Sequence, residues 1–127
     1  MAYTLLIVDD SATTRSIIKK VLSLTALDLG ELHEARNGEE GLAKLRGTWI
    51  DLVLADLNMP VMTGTEMIAA MADDPVLRSV PVVVISSEGN RTVLDSLADR
   101  GVREVIRKPF EAALLRRVIE QALNVQA

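Results

Sequence analysis

Cysteine is absent from the chain, which excludes disulfides, thiolate metal sites and cysteine nucleophiles and suits a reducing compartment. Aromatic residues are almost absent: Tyr3, Trp49 and Phe110 are all there are. A core must therefore be packed from aliphatic side chains, and the stacking platform on which proteins hold single-stranded nucleic acid is missing. A formal net charge of -4 opposes phosphate backbones as well, so no nucleic-acid partner is expected. No apolar run approaches the roughly 18 residues that a membrane span needs, so no membrane partner is expected either. The first hydrophobic run breaks at Asp9-Asp10, which does not suit a secretory leader. The single histidine, His33, has no ligand-spaced partners and reads as a polar strand residue. Linkers rich in Pro, Gly or Ser, repeats and low-complexity segments are also missing. A cytoplasmic, aliphatic-cored protein of one domain, 1–127, is expected, with no segment left over for an output module.

The 127 residues, 49% hydrophobic and 25% charged, have ordinary globular composition and can bury about two-thirds of the unfolded surface. Short apolar runs alternate with helical periodicity. Thr4 to Val8 reads as a strand buried on both faces. Ser11 then caps a helix carrying Ile17, Ile18, Val21, Leu22 and Leu24. Leu32 to Ala35 is a weaker strand, and Asn37 with Glu40 three residues on opens a helix that turns Leu42, Ala43 and Leu45 inward and ends near Gly47. Leu52 to Ala55 is the third strand. Gly64 and Thr65 lead into a helix with Met67, Ile68 and Met71 on its core face, ended by Asp73-Asp74-Pro75. After its opening proline, the run from Pro81 to Ile85 is wholly β-branched and forms the fourth strand. Asn90 caps a helix with Val93, Leu94, Leu97 and Ala98 inward, closed by Gly101. Val102 to Ile106 is the fifth strand, stopped by Lys108-Pro109. Glu111 to Leu123 is the last helix, with Leu114, Leu115, Val118, Ile119, Ala122 and Leu123 inward. Five strands alternating with five helices predict an α/β fold, a parallel sheet doubly wound by right-handed crossovers.

All strand C-termini of such a sheet lie along one edge, where ligands bind. The central strand delivers Asp56 there, and Pro60 prevents it from continuing. The first strand brings Asp9 and Asp10, the fourth Ser86 with its neighbour Ser87, and the fifth Lys108. Three gathered carboxylates repel one another, and a divalent cation is the usual remedy. An all-oxygen, sparse donor set favours Mg²⁺, which takes one or two carboxylates plus phosphate oxygens. Lys108 can neutralise a phosphoryl group and a Ser86 hydroxyl can donate to one.

These residues resemble the receiver domains of bacterial two-component response regulators, in a match that covers the whole chain. The acidic pair Asp9-Asp10, the run Asp56-Leu57-Asn58-Met59-Pro60 with Gly64, the hydroxyl Ser86 and Lys108-Pro109-Phe110 carry the resemblance, each at the end of the appropriate strand. It implies a flavodoxin-like sheet of strand order 2-1-3-4-5 and Asp56 as phosphoacceptor. It also implies Asp10 and Asp56 as direct Mg²⁺ ligands, Asp9 acting through water, and Asn58 giving its carbonyl. Ser86, Ser87 and Lys108 would contact the phosphoryl group or switch with it, and Lys108-Pro109 would be a cis peptide. The phosphoryl donor would be a histidine kinase or histidine phosphotransfer domain, and the signal would pass to a downstream target.

Asn58 and Glu88 lie two residues beyond the acceptor and the serine, where their side chains would flank a hydrolysing water and shorten the phosphoform's lifetime. The output face would include Arg91, Asp95, Val105 and Arg107, on the fourth helix and fifth strand. Val105 stands where many family members carry a Tyr or Phe that rotates inward, and Thr63 where an aspartate often precedes the glycine. Trp49, before the third strand, falls near the end of the sheet opposite Asp56. A monomer is expected. Two other readings compete: a pseudo-receiver or phosphorelay shuttle, and a Mg²⁺-dependent phosphatase of the haloacid dehalogenase type. The latter wants a second carboxylate where Asn58 stands.

Overall fold

The computed structural model describes residues 2–124. Five strands, β1 (Tyr3–Val8), β2 (Leu29–Ala35), β3 (Leu52–Ala55), β4 (Val82–Ser86) and β5 (Val102–Arg107), form one parallel sheet in the order β2-β1-β3-β4-β5. Four helices link them, α1 (Ala12–Leu22), α2 (Gly38–Gly47), α3 (Gly64–Ala72) and α4 (Arg91–Ala98), and α5 (Ala112–Asn124) follows the last strand. The expected doubly wound fold and strand order are present.

Alternation along the strands explains the two layers, because successive side chains of a strand point to opposite faces. Leu6, Val8, Val53, Ala55, Val82 and Val84 face one way and pack with Leu42, Leu45, Met67, Ile68, Met71 and Leu97 of α2, α3 and α4. Leu5, Ile7, Leu52, Leu54, Val83 and Ile85 face the other way, against Ile18, Leu22, Leu115, Ile119 and Leu123 of α1 and α5. The methionine stripe of α3 is core, with Met67 and Met71 buried. The outermost strands differ from the rest: β2 carries Glu31, His33 and Glu34, and β5 carries exposed Arg103, Glu104 and Arg107.

Several boundaries differ from the sequence reading. β2 begins at Leu29, three residues before the expected Leu32, because Tyr3 and Leu29 pair ahead of the regular register that starts at Leu5 and Leu32. α1 stops at Leu22, so Leu24 lies past the helix and is 62% exposed, and Ile17 falls at the stripe's margin. Ala43, Ala98 and Leu114, expected inward, are exposed at the same kind of margin. Asn37 caps α2 as expected, accepting the Glu40 N–H, but Glu40 does not complete a capping box. Its carboxylate takes the Arg36 N–H and guanidinium instead.

Candidate metal and phosphoryl-transfer site

Register places the two central carboxylates side by side. Val8 of β1 is the partner of Ala55 of β3, so Asp9 and Asp56 are each the next residue along neighbouring strands. The ladder continues into them: Asp9 N–H donates to the Ala35 carbonyl at 3.0 Å and Asp56 N–H to the Val8 carbonyl at 2.9 Å. Both residues are buried, whereas Asp10 is exposed. Carboxylate oxygens of Asp9, Asp10 and Asp56 all lie within 4.8 Å of one another.

Lys108 arrives from the far side of the sheet. Ser86 pairs with Arg107 at the ends of β4 and β5, and the Lys108 N–H extends that ladder to the Ser86 carbonyl at 3.0 Å. The cis Lys108-Pro109 peptide, expected from the resemblance, follows it. The ammonium donates to Asp9 Oδ2 at 3.0 Å and to Asp56 Oδ2 at 3.1 Å. Partial burial pulls the Lys108 pKa down, but its bonds to Asp9 and Asp56 more than offset this and hold it above the ordinary lysine value. Lys108 is therefore an ammonium at neutral pH.

The other oxygen of each buried carboxylate is tied to main chain. Asp9 Oδ1 accepts the Ser11 N–H at 2.9 Å, and Asp56 Oδ1 accepts the Leu57 N–H at 2.7 Å and the Asn58 N–H at 3.4 Å. Among the described residues no side chain or main-chain donor bonds the Asp10 carboxylate, which leaves it available. Three clustered carboxylates, one of them free, with no sulfur or imidazole among them, fit a hard divalent cation such as Mg²⁺.

The loop after Asp56 is built around close backbone contact. A side chain at Gly64 would fall on the Asp56 carbonyl oxygen, so only glycine lets α3 start there, with its N–H on the Leu57 carbonyl. Thr63 and Glu66 form a full capping box on α3. Threonine thus does the capping work of an aspartate at that position, and the pair was readable as Thr-x-x-Glu. Val61, at φ 68°, sits in a γ-turn closed by the Met62 N–H on the Pro60 carbonyl. That conformation is strained for a β-branched residue.

Of the remaining expected residues, Ser86 is fully buried and its hydroxyl accepts the Glu88 N–H at 3.2 Å. Ser87 and Asn58 are exposed and Glu88 half-buried, at the rim. Arg91, Asp95, Val105 and Arg107 line one groove between α4 and β5, of about 460 Å³. Trp49 sits at the opposite pole, its indole N–H on Asp51 Oδ1 at 2.9 Å. Sequence reasoning missed Arg15, which reaches the Asp9 carbonyl from α1, and its partner Glu34 on β2. A side chain bonded to main chain leaves no pairwise pattern to read.

A doubly wound parallel sheet with an aspartate triad, a buried hydroxyl and a lysine at its C-terminal edge is the arrangement of a receiver domain. The model of the response regulator receiver domain family matches residues 5–120, and the chain belongs to that family. It is 37% identical over 119 residues to the chemotaxis protein CheY of Pseudomonas aeruginosa, covering 92% of this chain and 93% of the relative. It is 35% identical over 121 residues to CheY1 of Helicobacter pylori, covering 94% and 96%. The CheY-like receiver domain protein of Methanospirillum hungatei superposes with a TM-score of 0.87 at 24% identity, covering 99% of this chain and 97% of that one. The chain is a CheY-like receiver, a class of signalling domain that binds Mg²⁺ at an acidic pocket and works with histidine kinases and downstream targets.

Proposed function

We propose that this receiver accepts a phosphoryl group on Asp56 and signals by the change that follows. The observation that carries this is the Lys108 ammonium, shared between the buried Asp9 and Asp56 beside a free Asp10. A carboxylate oxygen of Asp56 attacks the phosphorus of a kinase or phosphotransfer-domain phosphohistidine. The P–N bond breaks with its electrons going to the imidazole, and an acyl phosphate remains.

Asp9, Asp10 and Asp56, with the Asn58 carbonyl, are the residues that would hold Mg²⁺, which supplies charge neutralisation on the phosphoryl oxygens. Lys108 exchanges its bond to Asp56 for one to the transferred group and brings a positive charge that needs no proton movement. Ser86, at the end of β4, is drawn inward, turns its hydroxyl proton toward a phosphoryl oxygen and pulls on the main chain of Glu88 through the bond it accepts. That displacement moves the segment from Ser86 and Ser87 into α4 and biases an existing equilibrium of α4 and β5. The groove lined by Arg91, Asp95, Val105 and Arg107 is the surface a target reads. With Val105 there, the readout does not depend on an aromatic switch from this chain.

Asn58 and Glu88 at the rim orient a hydrolysing water, giving a short-lived phosphoform of the chemotaxis type. Apolar substitution of either is expected to lengthen the lifetime, and unchanged lifetimes would refute that role. The central experiment is intact mass after incubation with Mg²⁺ and acetyl phosphate. One Mg²⁺-dependent phosphoryl adduct, absent from Asp56→Asn, is expected; no adduct would point to a pseudo-receiver, and sustained turnover of phosphate esters to a phosphatase.

A further inference from the structure

Arg15 lies one turn into α1, its side chain largely covered, and bonds none of the carboxylates of Asp9, Asp10 and Asp56. Its Nη1 donates to the main-chain carbonyl of Asp9 at 2.6 Å, and its Nε to Glu34 Oε1 of β2 at 2.9 Å. Lys19, one turn further along α1, donates to the other Glu34 oxygen at 3.0 Å. The two hydrogen bonds from Lys19 and Arg15 hold the Glu34 carboxyl below the usual range, so the strut stays ionised at neutral pH.

The carbonyl that Arg15 grips belongs to the peptide linking Asp9 to Asp10. Every other polar group of Asp9 is already fixed: its N–H by Ala35, and its carboxylate by the Ser11 N–H and Lys108. Asp10 has no such anchors among the described residues. The plane of that one peptide fixes how the Asp10 backbone enters the site, and the Arg15 bond restrains that plane.

We propose that Arg15, braced by Glu34, is a positioning residue for the metal site: it orients the Asp9-Asp10 peptide so that the Asp10 carboxylate faces Asp56. This rests on the reading of the triad as a Mg²⁺ site. Two physical effects of Arg15 have opposite signs, which makes the proposal testable. As a nearby positive charge the guanidinium repels a cation, so its removal would tighten binding if charge dominated. As a brace it preorganises a ligand, and loss of such supporting contacts weakens metal affinity by about 10- to 100-fold.

The experiment is isothermal titration of Mg²⁺ into the full chain as wild type, Arg15→Ala, Arg15→Lys, Glu34→Gln and Lys19→Gln, with folding of each checked by circular dichroism. Arg15→Ala is expected to raise the Mg²⁺ Kd about tenfold. Arg15→Lys, which keeps the charge but cannot span both partners, should be intermediate. Glu34→Gln, which keeps an acceptor for Nε, should move Kd little. Lys19→Gln loses a Glu34 contact without touching Asp9 and should leave Kd unchanged, which separates positioning from a general loss of stability. At saturating Mg²⁺ the Arg15→Ala protein should regain the wild-type rate of adduct formation from acetyl phosphate. An unchanged or lower Kd in Arg15→Ala, or an equal loss in Lys19→Gln, overturns the proposal. Absence of Mg²⁺ binding by the wild type would overturn the metal-site reading itself, and this inference with it.

Discussion

The two sides of the sheet are built differently. β1 from Leu5 to Val8 and β3 from Leu52 to Ala55 are at most 1% exposed, and the strand ends they present carry Asp9 and Asp56. Across β4, the α4 and β5 pair is thinly packed: Leu97 is the only buried residue of α4 and Ile106 the only one of β5. Chemistry that depends on carboxylates held about 3 Å from an ammonium needs side chains that cannot drift, and a fully buried parallel strand provides that. A response to that chemistry needs a segment with little packing to lose, and such segments rearrange at low cost. Under the proposed function, the division of labour is a division of burial.

The largest expected effect tests the rigid side at its tip. Asp56→Asn removes the proposed phosphoacceptor while keeping the shape, and mass spectrometry should show complete loss of the phosphoryl adduct in a protein that still folds. Next comes packing. Leu54→Ala, in the fully buried strand, should cost about 2–5 kcal/mol in urea unfolding. Leu94→Ala, half-buried on α4, should cost about 1 kcal/mol or less and leave adduct yield intact. Equal costs at the two positions would break the contrast between the two sides.

Lys108 links them, since β5 carries the ammonium that the β1 and β3 ends require. Lys108→Ala leaves two buried carboxylates without their counter-charge and should lower stability by about 1–3 kcal/mol, partly recovered by added Mg²⁺. The folded-state pKa of Lys108 is raised, so its contribution is complete below the ordinary lysine value and is lost only as pH climbs through the higher one. The stability gap between wild type and Lys108→Ala should therefore stay flat as pH rises through neutrality and, on the alkaline side, close at strongly alkaline pH. A gap that narrows near neutrality would contradict the shared-ammonium geometry.

Smaller effects come from the periphery. Relief of the γ-turn in Val61→Gly should raise stability by about 1 kcal/mol, measured as the denaturation midpoint. Glu34 has a depressed pKa, so its ion pairs stabilise above the ordinary glutamate range and are lost as pH falls through the lower folded-state value. Glu34→Gln should flatten the acid limb of the stability curve by only a fraction of a kcal/mol, since the pair is partly solvated.

How much of this was legible in the sequence follows the same division. Asp9, Asp10, Asp56 and Ser86 were readable because a buried apolar run with a polar end is itself the signature of a strand delivering a side chain to the sheet edge; Lys108 follows the charged strand β5 and was readable from its place before Pro109, which stops that strand, and from the resemblance. The start of β2 was not, since Leu29-Gly30-Glu31 has no strand-like pattern and becomes a strand only because β1 offers it a ladder. Ile17, Leu24 and Leu114 show the limit of helical periodicity: it locates an apolar stripe but not which of its members sit at the margin. Arg15 was invisible for another reason. Its partner is a carbonyl, which every residue has.

The charged rims of the sheet have a consequence for the protein in concentrated solution. Because β2 and β5 stand at the two open edges with Glu31, Glu34, Arg103, Glu104 and Arg107 along them, a second sheet arriving edge-on would have to align its backbone against mixed charges that lose hydration on contact. The edges are poor templates for strand addition, so crowding should favour neither continuous sheets nor fibrils, and the apolar strands between them stay sealed within each molecule.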